Sequence, residues 1–246
     1  NILNEETDIS QYSDAVFATQ GFPALDYMLY GLDQDSNMVI NYYTGVDGVK
    51  YISYLNLLID VMIGYTNEVI TYWQNNRNSF VSSTDNTVTS SLNKLTNDFI
   101  YYYEKGFRAN KIGIPAGVYS NGAIPSSMEA YYKRDLSKTL CLVALDASHD
   151  FFIGKHFNTS TQGVSMKDYV DYIATNSNLS TTIIDQFDNA RIKINLLDQD
   201  FVAQIASDNI LMLQAFDAVQ LAVISLKTDM LLLLGISVDY VDADGD

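Results

Sequence analysis

Apolar residues recur at three- and four-residue intervals over most of this chain. Tyr51, Tyr54, Leu55, Leu58, Met62, Tyr65, Val69 and Tyr72 share one helical face, which predicts a long helix over residues 51–73. The polar run Ser82-Ser83-Thr84-Asp85-Asn86 offers a cap. A second helix is predicted over 87–103, with Leu92, Leu95, Phe99 and Tyr102 on one face and Gly106 where a stop is expected. Residues 106–126 collect Gly106, Gly113, Gly117, Gly122, Pro115 and Pro125, and read as the most loop-like part of the chain. The helical pattern resumes at Ser126, where Ser126-Ser127-Met128-Glu129 has the spacing of a capping box, and runs through Phe152. Further helices are predicted over 165–175, 180–197 and 200–234, the last stopped by Gly235. That makes about six helices, and no run has the length and alternation of a strand. The expected architecture is all-α. Its domains are an N-terminal helical bundle over 1–105, a Gly/Pro-rich junction loop over 106–125 and a C-terminal bundle over 126–246.

The chain has 246 residues, of which 48% are hydrophobic and 18% charged, enough for a sizeable core and unlike a disordered chain. Its net charge is −16. So acidic a balance argues against nucleic acid, whose phosphates need clustered Lys and Arg, and against docking on an anionic membrane surface. It is compatible with cations or basic partners. The single cysteine, Cys141, sits in an apolar run and reads as a buried core thiol, so no internal disulfide can form. The chain opens on a polar stretch with no signal peptide in view, although an export signal or lipid anchor can precede the first residue. No uninterrupted apolar run approaches the roughly 18 residues of a membrane span. Residues 231–235 are the longest candidate, and a soluble domain is expected.

Specific chemistry is sparse. The two histidines, His149 and His156, read as exposed residues near a helix end rather than a zinc pair, and no His-Glu-x-x-His is present. There is no Gly-x-Ser-x-Gly elbow, and Gly113-Ile114-Pro115-Ala116-Gly117 lacks the Lys-Ser or Lys-Thr of a phosphate loop. Asp242-Ala243-Asp244-Gly245-Asp246 has the start of a calcium loop without its remaining ligands, and a solvated acidic tail is the plainer reading. The 18 tyrosines read as core-edge residues more than as a ligand cage. Lys105, Arg108, Lys111 and Lys133 form a local basic island, either paired with Glu104, Glu129 or Asp26 or open to an anionic ligand.

Four segments stand out in order: Gly21-Phe22-Pro23-Ala24-Leu25-Asp26-Tyr27-Met28-Leu29-Tyr30-Gly31, then Lys111-Ile112-Gly113-Ile114-Pro115-Ala116-Gly117, then Pro125-Ser126-Ser127-Met128-Glu129-Ala130-Tyr131-Tyr132, and the stretch from Gly235 to Asp246. Their order and spacing resemble the imelysin-like family, also called the M75 peptidase family, over essentially the whole chain. The resemblance implies two helical-bundle domains with approximate internal two-fold symmetry. It implies a helical hairpin preceding Asn1, and an exported protein in the periplasm or at the cell surface, lipid-anchored to the outer membrane and linked to iron uptake. The family motif Gly-x-His-x-x-Glu maps onto Gly21, Pro23 in the histidine slot and Asp26 in the glutamate slot. Proline has no side-chain donor, acceptor or titrating group, so the paired metal or acid–base site cannot form as the motif writes it. The residues themselves place Pro23 and Asp26 in the first turn of a helix, where the dipole favours a carboxylate. The expected function is an extracytoplasmic binding or accessory protein. Its ligand site would be built from Gly21, Pro23, Asp26 and Tyr27 with Arg108, Lys111 and Glu129, with Asp26 the candidate ligand for iron or another divalent metal. The alternative is an M75-type peptidase acting on exported or surface proteins. A purely structural surface protein without a small ligand is a third reading.

Overall fold

A computed structural model describes residues 2–4 and 19–240. The acidic tail from Asp242 therefore lies outside the described residues. The described chain is helical, and its one extended pairing is an antiparallel bridge between Lys155 and Gln162. It divides into two compact units, one of residues 1–80 with 130–133, the other of 81–129 with 134–246.

In the first unit, α1 (Gly21–Asp26) runs on into a wider π-helical turn, Tyr27–Gly31, followed by α2 (Val39–Thr44) and α3 (Gly48–Ser82). Its core is small. Ala24, Met28 and Leu58 are buried, with Leu25, Tyr43, Tyr51, Tyr54 and Leu55 packed around them. Tyr43 closes the contact by donating its hydroxyl to the Met28 carbonyl at 2.5 Å. α3 is the long helix that the spacing predicts, extended by three residues at its start and nine at its end.

The second unit holds the main core. α4 (Ser91–Tyr101) does not stop at Gly106. It widens into π-helical turns over Tyr102–Gly113 and returns to α-helix in α5 (Ile114–Ala116) before Gly117 ends it at φ 85°. The expected junction loop is therefore mostly helix. Gly106 serves packing instead: a Cβ there would lie 2.8 Å from the Tyr102 ring one turn back. The helix expected from Ser126 starts later, at α6 (Ser137–Phe152), after short 3-10 turns at Pro125–Ser127 and Arg134–Leu136. The capping box does not form at Ser126, because Glu129 is drawn to Lys111. It forms at Ser165, whose hydroxyl accepts from the Asp168 amide at 3.1 Å while Asp168 accepts from the Ser165 amide at 3.0 Å. That cap opens α7 (Met166–Ile173), and α8 (Leu179–Asn195) follows. The α8 end is closed by Lys138, which donates to the carbonyls of Asn195 and Leu197 at 2.8 Å each.

α9 (Phe201–Ile224) is capped by Asp200, continues through a π-helical stretch, Ser225–Met230, into α10 (Leu231–Leu234), and ends at Gly235 with φ 64°. It bends at Asp208, where φ −156° and ψ 90° leave the helical region. Gln204 bridges the bend by accepting from the Asp198 amide at 2.7 Å and donating to the Asp208 carbonyl at 2.8 Å. Contrary to the run-length reading, Phe201–Leu234 is long and apolar enough to cross a membrane, with a mean hydropathy of 1.5 and half of that window buried. Scattered polar residues such as Gln214, Asp217 and Gln220 conceal this from a search for unbroken apolar runs. In this fold Met212, Ala215, Val219, Ala222 and Val223 put it at the centre of the core, against Tyr103, Phe107 and Phe187.

Between α7 and α8, Asp171 accepts from Lys167 at 2.7 Å and from the Ser180 hydroxyl. The hydrogen bonds from Lys167 and then Ser180 hold its carboxyl below the usual range, against a smaller opposing effect of burial. A depressed carboxyl pKa stabilises the fold above its unfolded value and loses that contribution as pH falls through the folded value. Asp171→Asn is therefore expected to flatten the fall of melting temperature below about pH 4. An unchanged acid limb would show that the pair is not linked to folding.

Candidate functional site

The segment carrying Gly21, Pro23, Asp26 and Tyr27 lies in the first unit. Gly21 adopts φ 59° and opens α1, and Pro23 occupies its first turn as expected. Asp26 departs from expectation. It is the last residue of α1, out of reach of the N-terminal dipole, and its charge is met elsewhere. One carboxylate oxygen accepts from the backbone N–H of Tyr132 at 2.8 Å and the other from that of Lys133, also at 2.8 Å. These amides belong to the tetrapeptide 130–133, which returns to the first unit from far along the chain. Hydrogen bonds to an ionised acceptor are the stronger kind.

The rest of the segment receives the same tetrapeptide. The Tyr132 ring meets Tyr27 edge-on at 5.2 Å, and the Lys133 ammonium lies over Tyr30 at 5.3 Å. Gly31 gives the Tyr132 ring its seat, since a Cβ at residue 31 would lie 2.5 Å from a ring carbon. Ala130 enters the turn at φ 55°, a conformation that non-glycine residues seldom adopt. Gly31→Ala is expected to cost the first unit about 1–2 kcal/mol by overpacking this seat. Urea denaturation followed at Trp73 reads this out, and a change under about 0.5 kcal/mol would mean the ring has room to move.

Arg108, Lys111 and Glu129 lie in the second unit. Lys111 pairs with Glu129. Arg108 does not flank a loop: it is 1% exposed inside the bundle, on the π-helical stretch. Its guanidinium pairs with the equally buried Glu104 at 3.3 Å and donates to Gln220. It also lies over Phe216 at 5.4 Å and Tyr119 at 5.9 Å. Glu104 accepts from the Tyr240 hydroxyl at 3.1 Å and lies 3.7 Å from the Lys227 ammonium. Glu104 was expected from sequence as a partner of the basic island and Tyr240 lies in the fourth segment, whereas Gln220 and Lys227 were not singled out. The i,i+4 spacing of Glu104 and Arg108 is a signal for the pair, whereas Tyr240 and Tyr132 lie in the quoted segments with nothing local to mark their contacts. The basic island is thus two separate sets, with Lys133 in the first unit and Arg108 and Lys111 in the second.

Cys141 is fully buried, and burial pushes its thiol up to about 12, which suits a core residue and opposes nucleophilic use. His149 is partly buried, with Nδ1 3.4 Å from an Asp150 oxygen and its ring edge-on to Phe187. His156 is exposed on the turn beyond α6. A surface groove of about 400 Å³ lies beside it, lined by Leu92, Leu95, Phe151, Lys155, Met166 and Tyr169 among others. Among the described residues, no group of three or more His, Cys, Asp and Glu side chains could hold a metal ion.

No curated protein matches this chain. The Imelysin (peptidase M75) family model matches residues 4–221, from before the Gly21–Gly31 segment into α9. A match over most of the length, with an all-helical fold, shows that the chain belongs to the imelysin family.

Proposed function

We propose that this chain is a binding or accessory protein of the imelysin family that acts outside the cytoplasm, rather than a peptidase. The observation that carries this reading is the engagement of Asp26. The carboxylate in the motif's acidic slot has an amide N–H on each oxygen, and the histidine slot beside it is Pro23. A general base or a metal-water site needs a second titrating or ligating group beside the carboxylate, and Pro23 supplies none. The extracytoplasmic location, a lipid anchor and the link to iron come from family kinship. The strongly acidic surface suits a cationic ligand or a basic partner.

Iron is accordingly the ligand to try first. Each Asp26 oxygen retains acceptor capacity beyond its amide bond, so a cation can be accepted there without releasing the tetrapeptide. Calorimetric titration of metal-stripped protein with ferrous, ferric, zinc and calcium ions tests this. The expected result is saturable binding of an iron ion that Asp26→Ala weakens at least tenfold. Absence of any binding would remove metal from the reading and turn the search to organic or protein ligands.

A further inference from the structure

α10 ends on a pinned hinge. Gly235 adopts φ 64° and donates its amide to the Leu232 carbonyl at 3.2 Å, while the Ile236 amide reaches the Leu231 carbonyl at 2.9 Å and the Ile236 side chain is buried. Residues 237–240 then leave the helix and lie along α4. Among the described residues, no backbone–backbone hydrogen bond ties 237–240 to another element. Asn97 of α4 holds them instead. Its side-chain amide donates to the Ser237 carbonyl at 3.0 Å and accepts from the Asp239 N–H at 3.2 Å, as a neighbouring strand would.

Tyr240 sits over a charged cluster. Its hydroxyl donates to Glu104 at 3.1 Å, its ring meets Tyr101 edge-on at 5.2 Å, and the Lys227 ammonium lies 5.7 Å from its centre. Glu104 and Arg108 come from the π-helical stretch Tyr102–Gly113, and Lys227 comes from the stretch Ser225–Met230. Two widened helices thus bring their charges to one place beneath Tyr240, and such widenings are frequent at functional sites.

We propose that residues 237–240 are a gate: they open as a unit while the bundle stays folded, and opening uncovers the Glu104 carboxylate beside Lys227. The nature of the contacts makes opening accessible. Ser237, Val238 and Asp239 are exposed even when closed, and Tyr240 is partly buried, so little apolar surface meets water on opening. The groups released on the bundle are an amide, a carboxylate and an ammonium, each of which water can satisfy. The hinge keeps Ile236 in the core, so the movement stops there. Closed, Tyr240 helps to hold Glu104 at 2% exposure. The gate belongs to the second unit and shares no residue with the Asp26 segment, so it is tested apart from the ligand reading.

Native-state hydrogen exchange and carboxyl labelling of the full chain test this together. The Asp239 amide should exchange at least about a hundredfold faster than the amide of Val219, in the core of α9, and at least about tenfold slower than a free peptide. Tyr240→Phe keeps the ring and removes its bond to Glu104. At this partly exposed site it should speed Asp239 exchange roughly three- to tenfold and leave Val219 unchanged. Carbodiimide coupling of an amine to Glu104 should rise by the same factor, because the reaction needs the open state. Exchange of Asp239 only at the Val219 rate overturns the gate, and so does an unprotected Asp239, since the segment is then not closed. Glu104 labelling that ignores Tyr240→Phe while Asp239 exchange responds overturns it as well, because opening then uncovers nothing.

Discussion

Arg108→Ala is expected to destabilise the second unit by about 3–5 kcal/mol, because it strips a buried carboxylate of its main partner. Glu104 is 2% exposed and Arg108 1%, so water cannot readily take the place of the lost guanidinium. Lys227 and the Tyr240 hydroxyl remain near Glu104, at 3.7 and 3.1 Å, and keep the loss from going higher. Removing both charges together, as Arg108→Met with Glu104→Gln, should cost less than the sum of the single changes, since neither is then left alone. Chemical denaturation of the wild type, Arg108→Ala, Arg108→Met, Glu104→Gln and the double variant measures this. A loss below about 1 kcal/mol for Arg108→Ala would mean that the cluster is hydrated and the ion pair contributes little.

Asp26→Ala is expected to cost the first unit about 2–3 kcal/mol, since hydrogen bonds to an ionised group are worth about 1.5–3 kcal/mol and two are lost at a partly exposed site. Asp26→Asn retains one acceptor and should lose about half as much. Both changes should expose the Tyr131–Arg134 stretch to trypsin, which cuts after Lys133 and Arg134. Hydrogen exchange at the Tyr132 and Lys133 amides gives the site-specific readout, with protection lost in Asp26→Ala and partly kept in Asp26→Asn. Equal protection in all three proteins would mean that the carboxylate does not hold the tetrapeptide.

The helical fold was legible because its cause is local and periodic. The three–four spacing from Tyr51 to Tyr72 and the Gly235 stop each act within a turn or two of chain, and each appears where the pattern puts it. The misplacements arise where a stop or cap signal was outweighed by a contact outside the motif itself. Gly106 looked like a terminator, yet the helix runs through it and uses the missing side chain to admit the Tyr102 ring. Ser126 to Glu129 and Ser165 to Asp168 have the same cap spacing. Only the second forms, because Glu129 is paired with Lys111 while Asp168 turns back to its own Ser165.

The candidate site was legible only in its near half. The segment from Gly21 to Tyr27 could be singled out by its motif order, and Pro23 falls in the first turn as read. What Asp26 does could not be read, because its partners are two backbone amides more than a hundred residues away, and a backbone amide leaves no mark in sequence. The same limit applies to Glu104, whose ligands Lys227 and Tyr240 come from the other end of the chain.

The central claim is that this imelysin-family chain binds rather than cleaves. Prolonged digestion of a diverse peptide library, read by mass spectrometry, tests it most directly with wild-type protein beside Asp26→Ala. The expected result is an intact library with both proteins. Sequence-selective cleavage by the wild type that disappears in Asp26→Ala would contradict the account and assign Asp26 to a peptidase site.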